Sequence, residues 1–264
     1  MDMLLMLLRI AVGFYVLATA SAFAALVLNL RKLVPWTPIL ASVGLIAHLS
    51  DLVLTGRSLG GLPLRDYRDV LSLLIAAAVV VYLVSFFRTR FEVLGAVILP
   101  VVLILIFISN LLPNDVLPVS KDLEKLLMNF HIFIAVLGAS ALFLTFAASV
   151  LYLIQERGLK EKRPPRFGLK LPSLERCDSI GKWSLMWGFP LLTLTIVTGG
   201  IWSANFRSRY WLWEGKETFA LLAWMILGVI ISARLLRGWR GKKAAYLTIL
   251  AFTALILRMI GVVL

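Results

Sequence analysis

One cysteine, Cys177, is all the thiol this chain of 264 residues contains. A lone thiol makes no intrachain disulfide, no CxxC pair and no thiolate metal site, so thiol–disulfide chemistry is excluded. Histidine is nearly as scarce, with His48 and His131 the only two. Charge is sparse as well, at 16% of residues, and only 14 side chains are acidic against 27 basic ones. There is no internal repeat and no linker to a soluble domain. The apolar runs lack the alternation of a spanning strand, which argues against a β-barrel.

What the chain has in abundance is apolar length. It is 61% hydrophobic, more than a soluble protein of this size could bury, which leaves a polytopic membrane protein. Crossing the hydrocarbon core takes about 20 apolar residues as helix. Eight such segments are expected, near 3–29, 37–56, 69–87, 91–112, 126–154, 183–204, 218–236 and 244–263. The expected fold class is therefore all-α, a helical bundle of about eight transmembrane helices forming a single domain over 1–264. Backbone groups in lipid must bond within their own segment, which favours helices.

The net charge of +13 sits in alternate loops rather than in one patch. Arg31, Lys32, Arg88, Arg90, the basic segment 157–182, Arg237, Arg240, Lys242 and Lys243 form the richer set. Arg57, Arg65, Arg68, Lys121, Lys125, Arg207, Arg209 and Lys216 form the poorer. The positive-inside rule then places both termini outside, in a cell (inner or plasma) membrane. The charge is topological, so nucleic acid is not an expected partner and the lipid membrane is.

Met1-Asp2 offers no basic n-region, and the first apolar run outlasts a signal-peptide core, so a retained helix is expected there. The connection 155–182, with Pro164-Pro165, reads as a solvated inner loop near anionic headgroups. Ser120 is placed to cap the fifth helix. Pro100, Pro190 and Gly199-Gly200 mark expected irregularities in the fourth and sixth. Arg258 is expected to snorkel outward.

Three features carry potential chemistry. His48 lies within the second helix, roughly 12 Å below its outer end at 1.5 Å per residue, with Asp51 one turn on to orient it. It is either a functional site in the bundle or a neutral histidine bonded to a neighbouring helix. His131 lies near the outer start of the fifth helix, either as an interfacial anchor or as an axial ligand for haem iron. Between the sixth and seventh helices, loop 203–217 gathers Tyr210, Trp211, Trp213 and Glu214 beside Arg207, Arg209 and Lys216, with Trp202 just before it. Tryptophan and tyrosine collect at membrane interfaces for amphipathic reasons alone. The same faces and cations also suit a planar ligand that carries carboxylates.

The order of residues decides between those readings. Gly188-Phe189-Pro190-Leu191-Leu192-Thr193, then Thr198-Gly199 with Ile201-Trp202, is followed by Tyr210-Trp211-Leu212-Trp213-Glu214-Gly215-Lys216-Glu217-Thr218. Trp224, Arg234 and Gly238-Trp239-Arg240-Gly241 continue in register. From about 126 to 264 this pattern resembles the cytochrome c assembly family, which includes CcsA/ResC, CcmC and HemX-like proteins. The resemblance implies haem, as haem b, presented at the outer face by the tryptophan-rich loop. It implies His131 as an axial ligand of the iron and His48 as a second histidine able to take iron. Trp202, Trp211, Trp213, Tyr210 and Glu214 would then contact haem, and Arg207, Arg209 and Lys216 would pair with its propionates.

The departures point to a reduced role. Arg207-Ser208 replaces a Trp-Gly, Glu214 an Asp, Gly215 a Pro, and Ser232 the histidine of an LH-x-R motif. The longer members continue past Gly261–Leu264 to a segment with a second external histidine. The short form is closest to the HemX-like branch. No catalytic residue is assigned, and an accessory part in haem attachment, with a partner membrane subunit, is expected over independent catalysis. A non-enzymatic regulator of tetrapyrrole synthesis and a haem or organic-anion transporter are the alternatives.

Overall fold

The computed structural model describes residues 2–64, 66–89, 91–111, 122–161, 172–211 and 213–260. Its elements among the described residues are eight α-helices, α1 (Asp2–Val27), α2 (Trp36–Ser58), α3 (Tyr67–Thr89), α4 (Leu94–Leu111), α5 (Asp122–Lys160), α6 (Leu174–Arg207), α7 (Gly215–Arg237) and α8 (Lys242–Ile260), with a short 3-10 turn, Arg31–Leu33, between α1 and α2. Seven of these, α1 to α7, are long and apolar enough within the described residues to cross a membrane. The protein is a multi-pass helical membrane protein.

Two helices run beyond their hydropathic cores. Helix α5 continues through the charged segment to Lys160, and α6 starts at Leu174 rather than near 183. Much of the expected solvated loop is therefore helical. Ser173 explains the early start of α6, because its hydroxyl accepts the Arg176 N–H at 3.3 Å, an N-cap with Glu175 in the first turn. The expected cap at Ser120, and the side chains of Arg207, Lys216 and Arg258, lie outside the described residues.

The helices gather into two compact units, Met1–Leu117 with Arg157–Pro172, and Pro118–Glu156 with Ser173–Leu264. In the first unit, α1 lies against α2 where the Tyr15 ring covers Gly44, whose absent Cβ would sit 2.8 Å from the ring. One turn further along α2 is His48, 1% exposed. Its Nδ1 meets the Tyr15 hydroxyl at 3.2 Å and its Nε2 meets the Ser72 hydroxyl at 2.6 Å. One imidazole thus ties α1, α2 and α3 together.

In the second unit, α5 and α6 approach closely at small residues, as membrane helices commonly do. A Cβ on Gly188 would fall 2.8 Å from Leu142, and one on Gly138 would fall 3.0 Å from Leu191. Helix α7 is pinned to α6 by residues of the sequence motif. Trp224 stacks on Phe189 at 5.8 Å between ring centroids, and its indole N–H donates to the Thr193 hydroxyl at 2.9 Å. Towards the other end, Arg234 donates to Asp178 at 3.0 Å in a largely buried pair. Phe143 and Phe146 of α5 stack with Phe252 of α8.

Candidate functional site

The second unit brings His131 to the foot of the aromatic loop. His131 Nδ1 lies 2.9 Å from the Thr198 hydroxyl across α5 and α6. Its ring lies over Gly199, where a Cβ would stand 3.0 Å from Cε1. A Cβ at 199 would require the imidazole to give by a few tenths of an ångström. The next residue serves the loop, because a Cβ on Gly200 would stand 3.6 Å from the Tyr210 carbonyl oxygen. The histidine and the returning loop therefore meet neighbouring positions of one helix, with the close approach at Gly199 and an ordinary contact at Gly200. Trp202 is one turn beyond Thr198 and Gly199, on the same face of α6 and towards the loop.

The loop itself is set by two left-handed residues. Helix α6 closes at Ser208 with φ 58°, and Trp213 sits at φ 57°. A left-handed conformation costs a non-glycine residue roughly 1–2 kcal/mol. Glu217, in the first turn of α7, offsets this by accepting the Trp213 N–H on Oε2 at 2.9 Å. Glu214 is the N-cap of α7, and its carbonyl accepts the N–H groups of Glu217 and Thr218, both at 3.0 Å. The result presents two aromatic faces outward, with Tyr210 73% and Trp213 71% exposed. Trp211 packs inward of them, edge-on to Trp213 at 6.0 Å. Arg209 is exposed beside Tyr210.

The ring contacts and the one imidazole suit a flat iron-bearing ligand. A further observation suits its carboxylates. The Trp211 indole nitrogen is buried and has no hydrogen-bond acceptor among the described residues. Buried donors are nearly always satisfied, and a carboxylate oxygen of a bound molecule would satisfy this one.

A sequence model described as cytochrome C assembly protein matches residues 67–264, three-quarters of the chain. The chain belongs to that family. It is 27% identical over 265 residues to the cytochrome c biogenesis protein CcsA of Trieres chinensis, covering 86% of this chain and 85% of that one. It is 28% identical over 273 residues to the CcsA of Porphyra purpurea, covering 89% and 85%. Against the CcsA of Guillardia theta it is 28% identical over 195 residues, spanning 65% of that protein's length. Among solved structures, the cytochrome c heme lyase CcmF shares the fold with a TM-score of 0.73 at 15% identity, over 97% of this chain and 46% of that one. This chain thus spans about half of the solved relative.

Within the family frame, the sequence-based site divides in two. His131, Tyr210, Trp211, Trp213, Glu214 and Arg209 fall in one region of the second unit, with Trp202 on the adjoining turn. His48 belongs to the first unit, where both its ring nitrogens are bonded. The sequence pointed to Asp51 as the group orienting His48, but the ring nitrogens meet Tyr15 and Ser72 on the neighbouring helices. Two residues of the site were not singled out from sequence. Thr198 and Glu217 were legible only as motif letters, and their roles come from contacts with a distant imidazole and a backbone N–H.

Proposed function

We propose that this chain handles haem in c-type cytochrome biogenesis, holding it at the outer membrane face on the tryptophan-rich loop. The observation that carries this is the seating of His131 on Thr198 and Gly199, one residue from where Tyr210 of the aromatic loop comes back to α6. His131 would take the iron. Trp202, Trp211, Trp213 and Tyr210 would cover the macrocycle, and the Trp211 N–H with Arg207, Arg209 and Lys216 would hold the propionates. Glu214 would frame the loop as the cap of α7.

When bound, haem b supplies the iron redox chemistry and the groups that a cytochrome acquires; this chain binds and orients it. His48 takes no iron in this reading. Its two bonds tie helices in the first unit, and a metal there would have to displace Tyr15 or Ser72. The chain would act in the cell membrane as an accessory part of an attachment system, beside a second membrane subunit that presents the apocytochrome.

Replacing the native copy with His131→Ala tests the role in its host. Haem-stained gels of membrane c-type cytochromes should fade while the variant still accumulates in the membrane. Unchanged staining at normal variant levels would remove His131 from the function.

A further inference from the structure

Free histidine holds its ring proton on either nitrogen, and only the nitrogen without it can bind a metal. The contact of His131 with Thr198 selects one form. The Thr198 hydroxyl lies 2.7 Å from the Leu194 carbonyl oxygen and 3.2 Å from that of Thr195. A carbonyl has no proton to give, so an oxygen–oxygen distance of 2.7 Å requires the Thr198 proton to lie between them. Were that proton turned towards His131 instead, lone pairs would face each other at 2.7 Å. The hydroxyl therefore meets His131 Nδ1 with its own lone pair, across 2.9 Å. Nδ1 must carry the ring proton and donate it.

We infer that Thr198 is a positioning residue that fixes His131 in the Nδ1–H form, so that of the two ring nitrogens Nε2 keeps the lone pair with which haem iron would bond. This rests on the reading of His131 as the iron ligand and gives the paired Thr198-Gly199 its purpose. Thr198 chooses the tautomer. Gly199 lets the ring come close enough for the choice to be made, since a Cβ there would lie 3.0 Å from Cε1 and 3.6 Å from Nδ1. Metal-binding histidines commonly donate their other N–H to a carbonyl, carboxylate or water, which sets ring orientation and raises ligand basicity. Here a threonine takes that place, itself oriented by the α6 backbone.

The contrast with His48 supports the assignment. There both partners, Tyr15 and Ser72, are hydroxyls able to donate or accept, and neither bond by itself dictates the tautomer. Thr198 is different because its proton is already committed.

The test uses the full-length, haem-free protein in detergent, labelled with ¹⁵N on histidine. With two histidines in the chain, His48→Phe assigns the spectrum. Wild type should show His131 protonated at Nδ1. Thr198→Val, which keeps the shape and loses the hydroxyl, should convert a substantial share to the Nε2–H form, and Thr198→Ser should restore the wild-type pattern. A hemin titration of the same variants should show Thr198→Val weakened about three- to tenfold, as expected when a fraction of the protein carries the wrong tautomer. A wild-type His131 protonated at Nε2, or a Thr198→Val spectrum like wild type, overturns the inference. If the tautomer changes as expected while hemin affinity is the same in Thr198→Val and His131→Ala as in wild type, the role of Thr198 on the ring stands. In that case the haem-ligand reading of His131 is what fails.

Discussion

Glu217→Ala should release the aromatic loop. The Trp213 N–H donates to the Glu217 carboxylate at 2.9 Å while Trp213 holds φ 57°. A hydrogen bond to a charged group contributes about 1.5–3 kcal/mol, at the low end here because the loop is exposed. The left-handed backbone opposes it by about 1–2 kcal/mol. The bond therefore roughly balances the strain, and the presented conformation holds about 30–70% of the population. Without the carboxylate the strain stands alone, and the left-handed state falls to roughly 3–16% of the population at 0.59 kcal/mol per RT. Haem that requires this conformation then binds about five- to ninefold more weakly, the ratio of the two populations. Glu217→Gln keeps a neutral acceptor and should lose about two- to threefold, since neutral bonds are about half as strong. The assay is a hemin titration followed by absorbance, with fluorine-labelled tryptophan reporting the mobility of Trp213. A Glu217→Ala protein that binds hemin within twofold of wild type, with an unaltered Trp213 resonance, would refute the argument.

Three further outcomes follow from the packing. His48→Phe removes two interhelical bonds of about 0.6–1.7 kcal/mol each, so thermal unfolding should shift downward while hemin affinity at the loop is unchanged. Asp178→Ala leaves the Arg234 guanidinium, whose side chain is 10% exposed, without its counter-charge. It should destabilise the protein by about 3–5 kcal/mol, and Asp178→Leu with Arg234→Met should recover most of that in the same denaturation assay. Trp224→Phe keeps the stack on Phe189 but loses the bond to Thr193, so a loss of about 0.5–1.5 kcal/mol is expected by the same measurement.

The helices were legible because lipid imposes an apolar length; all eight appear near their expected places, and seven of them, α1 to α7, are long and apolar enough among the described residues to span. Their ends were not legible where charge takes over from hydropathy. Helix α5 runs on to Lys160 and α6 begins at Leu174, held by backbone bonds and the Ser173 cap rather than by apolar periodicity. The candidate site was legible as an ordered motif, since the sequence places Tyr210, Trp211 and Trp213 together in one loop between α6 and α7. The working contacts were hidden by distance along the chain. Thr198 meets a histidine 67 residues away, and Arg234 finds Asp178 at a separation of 56. Nothing local in the sequence announces that a threonine hydroxyl is committed to its own helix and so dictates a proton on another. His48 shows the converse. A histidine deep in an apolar segment leaves two readings open, a functional site or a tie between helices, and its bonds to hydroxyls on two neighbouring helices supply the tie.

The absorption spectrum of the purified protein reconstituted with hemin, beside that of His131→Ala, tests the central claim most directly. Wild type should show a Soret band and, on reduction, sharp visible bands of histidine-ligated haem, both weakened or shifted in His131→Ala. A wild type that binds no hemin, or a variant with an identical spectrum and affinity, would contradict a haem seat built on His131 and the aromatic loop.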